Sequence, residues 1–141
     1  EAEGDEAYQS STTSKQNVVE PTVSDAITLA ARQVAETVNA NCIVTYTTSG
    51  STTLRAARER PTVPILCVTS SLLTARRMAI AWGIHSVHID QEERFSTVVK
   101  RAVDIAETQG FASSGDHIVI TAGVPMGKSG STNVLRIERI P

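Results

Sequence analysis

The 141-residue chain has only two cysteines, and neither charge sign dominates: 13 Lys and Arg stand against 15 Asp and Glu, a net charge of −2. Such a balance provides no basic stripe to neutralise several phosphates, which argues against a nucleic-acid partner. No apolar run approaches the roughly 20 residues of a membrane-spanning helix, and no stretch of these residues reads as a signal peptide. Cys42 and Cys67 lie in separate apolar, strand-like runs and lack the x₂ spacing of a metal or redox pair. They are expected to be reduced core residues, as in a cytoplasmic protein. The three histidines form no cluster. His85 and His88, three apart on one short strand, face opposite sides of it, and His117 begins another strand. Neither a metal centre nor a nucleophile–base pair follows from them.

What remains is an ordinary globular composition, 40% hydrophobic and 20% charged, of a length that suits one domain. Residues 1–20 are polar and aperiodic, with a Ser/Thr tract from Ser10 to Ser14, and read as a linker. The chain opens at Glu1 rather than at a methionine, which suggests a processed chain or a fragment of something longer. Thr22 followed by Asp25 predicts a capped helix start, and Ile27, Ala31, Val34 and Val38 recur at helical spacing. A strand is expected at Cys42–Tyr46 and a second helix from Ser51 to Arg60, ended by Pro61. Strand Pro64–Thr69, helix Ser71–Trp82 and strand His85–Ile89 follow. The longest helix is read from Glu92 to Gln109, stopped by Gly110; its first residues, Asp90-Gln91-Glu92-Glu93, suit a solvated helix start. Strands at His117–Thr121 and Asn133–Ile140 complete the pattern. Helices alternating with buried strands predict an α/β fold: a mostly parallel five-stranded sheet with helices on both faces. The last strand, reached without a helix, runs antiparallel.

Residues Thr47-Thr48-Ser49-Gly50-Ser51-Thr52-Thr53 put six hydroxyls and a glycine between a strand and a helix. A helix start offers unpaired N–H groups and the positive end of the dipole, so this loop is read as a phosphate cradle. A cap alone needs one or two hydroxyls. No cation lies within the loop, which fits holding an anion rather than cleaving it. The helix end contributes about 0.3–2 kcal/mol, against about 8 kcal/mol for a micromolar ligand. A second wall is therefore needed. The loop from Ala122 to Thr132 also leaves the carboxyl end of its strand and is expected to supply that wall, with Lys128 as a charged contact. Ala122–Ser129 fits a relaxed nucleotide P-loop pattern, but a β-rich segment follows where a P-loop requires a helix. A small NTPase is disfavoured on that ground.

The order of motifs resembles the C-terminal domain of pyruvate kinase. The match runs through Thr47-Thr48-Ser49-Gly50, Arg60-Pro61-x-x-Pro64-Ile65, Val68-Thr69 and Thr74-Ala75-Arg76-Arg77. It continues through Trp82-Gly83-Ile84, Gly110-Phe111, Gly115-Asp116, Thr121–Pro125 and Gly130–Asn133, the last two in the form of bacterial members. Residues 21–141 carry it well; Glu1-Ala2-Glu3 and Tyr8 loosely resemble the segment leaving the catalytic barrel. The resemblance implies a regulatory and assembly domain without its active site, inactive alone. The full enzyme would transfer a phosphoryl group from phosphoenolpyruvate to ADP with Mg²⁺ and K⁺. It further implies an effector phosphate held by Thr47, Thr48, Ser49, Gly50, Ser51 and Thr52. The loop of Gly127, Lys128, Ser129, Gly130, Ser131 and Thr132 would close over the ligand. Strand 133–140 would pair across a subunit interface in a homo-oligomer. Members that bind fructose 1,6-bisphosphate carry a cation where Thr48 and Ser51 stand here. They also have an Arg near Val98, where this chain has acidic neighbours at Asp90–Glu93. A monophosphate such as AMP or a sugar monophosphate is the expected effector. The alternative is a free-standing phosphate-ligand-binding protein of the same fold.

Overall fold

The computed structural model describes residues 22–81, 83–91, 94–123 and 132–141. The expectations for residues 1–20, Trp82, Glu92, Glu93 and 124–131 lie outside these. The described elements are α1 (Val23–Thr37), β1 (Cys42–Tyr46), α2 (Ser51–Arg58), β2 (Ile65–Thr69), α3 (Leu72–Met78), β3 (Ile84–His88), α4 (Phe95–Thr108), β4 (His117–Ala122) and β5 (Val134–Arg139). The strands form one sheet in the order β3-β2-β1-β4-β5, parallel except for β5, which runs antiparallel to β4.

Strand parity sorts the core into two layers. Cys42, Val44, Tyr46, Leu66, Val68, Ile118 and Ile120 face α4, which meets them with Val98, Val99, Ala102 and Ala106. Ile43 and Val119 face the opposite way, against Ala31 and Ala35 of α1. Cys67 is paired in register with Thr45, whereas Cys42 has the other parity. The two buried thiols thus point to opposite faces and cannot bridge; burial pushes the Cys42 thiol up to about 12.

The sequence order explains where the helices lie. From β1 through β2 to β3 the chain steps outward in one direction, with α2 and α3 packed over the face that α1 also covers. From β3 it returns past β2 and β1 to reach β4, carrying α4 across the other face. Connections therefore diverge between β1 and β4, and at their carboxyl ends such a switch point leaves a crevice.

The buried stripe of α1 differs from the expected one. Ser24, Thr28, Ala31 and Ala35 are buried, while Ile27, Val34 and Val38 are only half-buried at the flanks. Small residues let the helix axis approach the sheet, and the Thr28 hydroxyl is satisfied by the Ser24 carbonyl at 2.7 Å. The helices α2, α3 and α4 are each shorter than their expected spans.

Candidate functional site

The hydroxyl loop leaves β1 at the switch point. Its backbone is pinned from both sides: the Thr47 N–H donates to the Val68 carbonyl (3.0 Å), and the Thr74 hydroxyl donates to the Thr48 carbonyl (2.8 Å). Gly50 is the N-cap residue of α2 and sits at φ +89°. Only glycine adopts that conformation freely. A Cβ there would also lie 3.1 Å from Met78 Cε and 3.3 Å from Thr74 Cγ2. Backbone and neighbours both require glycine.

The six hydroxyls divide into two sets. Thr47, Thr52 and Thr53 are buried. The Thr47 Oγ1 accepts from the Gly50 N–H (3.0 Å), Thr53 Oγ1 bonds Thr45 Oγ1 (2.7 Å), and Thr52 Oγ1 bonds Thr132 Oγ1. Ser49 is exposed, and Thr48 and Ser51 are half-exposed. The Ser49 hydroxyl donates to Ser51 Oγ (3.1 Å) and accepts from the Ser51 N–H (3.3 Å). The N-cap residue of α2, Gly50, has no side chain to cap its helix, whereas α1 is capped by Thr22 and α3 by Ser71; of the six hydroxyls, that of Ser49 serves the first helical N–H, on Ser51. The N–H groups of Thr52 and Thr53, the second and third residues of α2, therefore carry no side-chain cap. They stand at the positive end of the helix dipole beside the outward hydroxyls of Ser49 and Ser51. That arrangement can hold an anion.

The expected second wall meets the loop at its described end. Thr132 is 3% exposed, and its carbonyl accepts from the Ser24 hydroxyl of α1 (3.2 Å). Its hydroxyl bonds Thr52. Gly127, Lys128, Ser129, Gly130 and Ser131 lie outside the described residues. Arg55, one turn into α2, is directed to Asp25 at 3.4 Å, away from service as a loop cation. Val98, near which the resemblance would place an Arg, is 1% exposed and belongs to the core beneath α4. Asp90 and Gln91 are exposed.

The histidines turn to separate partners. His85 packs against Phe111 with its ring tilted by 59° (centroids 5.3 Å apart), and its Nε2 lies 3.2 Å from Gln109 Oε1, while His88 Nε2 lies 3.2 Å from the Ser70 carbonyl. A cavity of about 570 Å³, lined by Ala57, Arg60, Pro61, Val63 and Ile65 among others, opens at the amino ends of the strands, away from the loop. Sequence reasoning missed Ser24 as a support of Thr132, and Thr74 and Met78 as neighbours of the loop, although Thr74 lies in a motif of the resemblance. Ser24 carried no local signal, because the buried face of α1 is set by its packing on the sheet.

Residues 25–138 match the family described as "Pyruvate kinase, alpha/beta domain". The chain is 39% identical over 137 residues to a pyruvate kinase of Methylorubrum extorquens, covering 97% of this chain and 29% of the relative. It is 38% identical over 119 residues to that of Geobacillus stearothermophilus, covering 84% and 20%. Among solved structures, a pyruvate kinase from Cryptosporidium parvum superposes with a TM-score of 0.78 at 29% identity, over 88% of this chain and 24% of that one. A second structure, of the Cryptosporidium parvum enzyme in complex with ADP, superposes with the same TM-score, 0.78, at 30% identity, over 88% and 25%. The chain thus spans under a third of the length of these relatives.

Proposed function

The chain belongs to the pyruvate kinase α/β-domain family, and from this we propose that it is the effector-binding and self-associating part of a pyruvate kinase. In the whole enzyme, phosphoenolpyruvate and ADP would give pyruvate and ATP, with Mg²⁺ and K⁺ serving the catalytic portion. The 141 residues would bind a phosphorylated effector and catalyse nothing by themselves.

One observation carries the binding role: α2 starts at the sheet's switch point from a glycine N-cap, which leaves the Thr52 and Thr53 N–H groups without a side-chain cap although six hydroxyls lie in the loop. Uncapped helix N–H groups are anion donors. The absence of a cation among the loop residues 47–53 favours one phosphate over two. The core position of Val98 and the exposed Asp90 point the same way. The favoured ligands are AMP and sugar monophosphates.

Calorimetric titration of the chain with AMP, ribose 5-phosphate, glucose 6-phosphate and fructose 1,6-bisphosphate tests this reading. A monophosphate should bind tightest. Ser49→Ala and Thr52→Ala should each weaken it about 10-fold or more, the effect of losing one hydrogen bond to a charged group. Tightest binding by the bisphosphate would refute the charge argument. Turnover of phosphoenolpyruvate and ADP by the chain alone would refute the assignment of chemistry elsewhere.

A further inference from the structure

The buried Thr52–Thr132 hydroxyl pair has a direct bearing on how the cradle holds an anion, if the binding role proposed above is right. Thr52 is 4% exposed and Thr132 3% exposed, and their Oγ1 atoms bond each other. Thr132 is held in place independently of that bond. Its carbonyl accepts from Ser24 Oγ (3.2 Å), and the next residue, Asn133, donates its N–H to the Ala122 carbonyl (3.1 Å). Eighty positions separate the two threonines in sequence, so only the tertiary fold brings them together.

A hydroxyl donates one hydrogen and accepts two. In the pair, either threonine can be the donor. A phosphate group at the start of α2 is an acceptor and demands the Thr52 hydrogen. Thr52 can give it only if its own oxygen is then served from the other side, and Thr132 is the group placed to do so. Both hydroxyls need only rotate; no heavy atom moves. We propose that Thr132 is a positioning residue of the anion site: it donates to Thr52, which donates to the ligand, and it does not touch the ligand itself. Chains of hydrogen bonds pointing at a charge polarise one another, which strengthens the terminal donor.

The test is a double-mutant cycle on the 141-residue chain, titrated with inorganic phosphate and separately with AMP. The amide shifts of Thr52 and Thr53 serve as readout. Thr132→Val, which keeps the side-chain shape, should weaken binding about 3- to 10-fold, and Thr132→Ser should restore it to within about 2-fold of the parent. Thr52→Val should weaken binding about 10-fold or more. In the Thr52→Val background, Thr132→Val should cost nothing further. An equal loss in both backgrounds would mean that Thr132 acts on the ligand directly and would overturn the relay, leaving the binding role intact. So would wild-type affinity in Thr132→Val. If the parent chain itself gives no shift at Thr52 and Thr53, the binding role falls first and the relay with it. Thr132→Ala serves as the second deletion variant should Thr132→Val fail to fold.

Discussion

At the scale of single residues, Gly50 shows how one position joins stability to site geometry. Its φ of +89° carries the chain from the strand into α2, and its missing Cβ makes room for Met78 and Thr74. Gly110 has a similar φ of +82° but nothing within 4 Å of its would-be Cβ. The two glycines therefore separate backbone strain from contact. Gly110→Ala should lose about 1 kcal/mol through the left-handed backbone alone. Gly50→Ala should lose roughly 2 kcal/mol, because the Met78 and Thr74 side chains must also give by a few tenths of an ångström. Denaturant unfolding measures both, and equal losses would mean that Met78 yields without cost. Because Thr74 also holds the Thr48 carbonyl at 2.8 Å, Gly50→Ala should further weaken phosphate binding, whereas Gly110→Ala should leave it unchanged.

At the scale of elements, α1 owes its start to a reciprocal cap. The Thr22 N–H and hydroxyl donate to Asp25 Oδ2 (3.1 and 2.9 Å), and the Asp25 N–H donates to Thr22 Oγ1 (3.1 Å). Those bonds from Thr22, aided by the charges of Arg55 and Arg58, hold the Asp25 carboxyl below its ordinary 3.8. A lowered carboxylate stabilises the fold at pH values above the unfolded pKa, and the contribution vanishes as pH falls through the folded one. Asp25→Asn should therefore lower Tm at pH 7, with a gap that stays constant down to about pH 5 and closes below 3.8. A gap that persists at pH 2 would show that the charge plays no part. This cap was legible in the sequence because both partners lie within one turn. So were the strands, whose short β-rich runs are mostly bounded by Pro, Gly or polar turns. The buried stripe of α1 was not, since hydrophobicity picks out Ile27, Val34 and Val38, while close packing on the sheet selects Ser24, Thr28 and Ala35. The hydroxyl loop was readable for the same local reason as the cap. The bonds that hold it and its second wall, Thr74 to Thr48 and Ser24 to Thr132, act across 26 and 108 positions, a distance at which one sequence carries no spacing signal.

At the scale of the whole molecule, the sheet order leaves β3 and β5 as its two edges. Among the described residues each presents unpaired backbone groups along one side, and the mode of pairing determines the assembly. Joining β3 of one copy to β5 of the next is a head-to-tail contact with no built-in end, whereas β5 against β5 about a twofold axis closes as a dimer. Side chains favour the second. Ile137 of β5 is paired with Val119, faces the α1 side of the sheet and is 43% exposed. Val23 and Leu29 of the neighbouring α1 are exposed apolar residues too. Exposed positions of β3 instead carry His85 and His88. Burying the exposed part of Ile137 from each copy is worth roughly 1 kcal/mol per side chain. Sedimentation velocity should show a monomer–dimer equilibrium that stops at two. Ile137→Lys, which places two like charges near the axis, should raise the dimer dissociation constant at least about 10-fold, or about 1.4 kcal/mol. Thr52→Val should leave that constant unchanged, because the cradle lies at the carboxyl ends of the strands and not along the β5 edge. A chain that remains monomeric at millimolar concentration would refute the assembly role, and species growing beyond the dimer would mean that β3 joins β5.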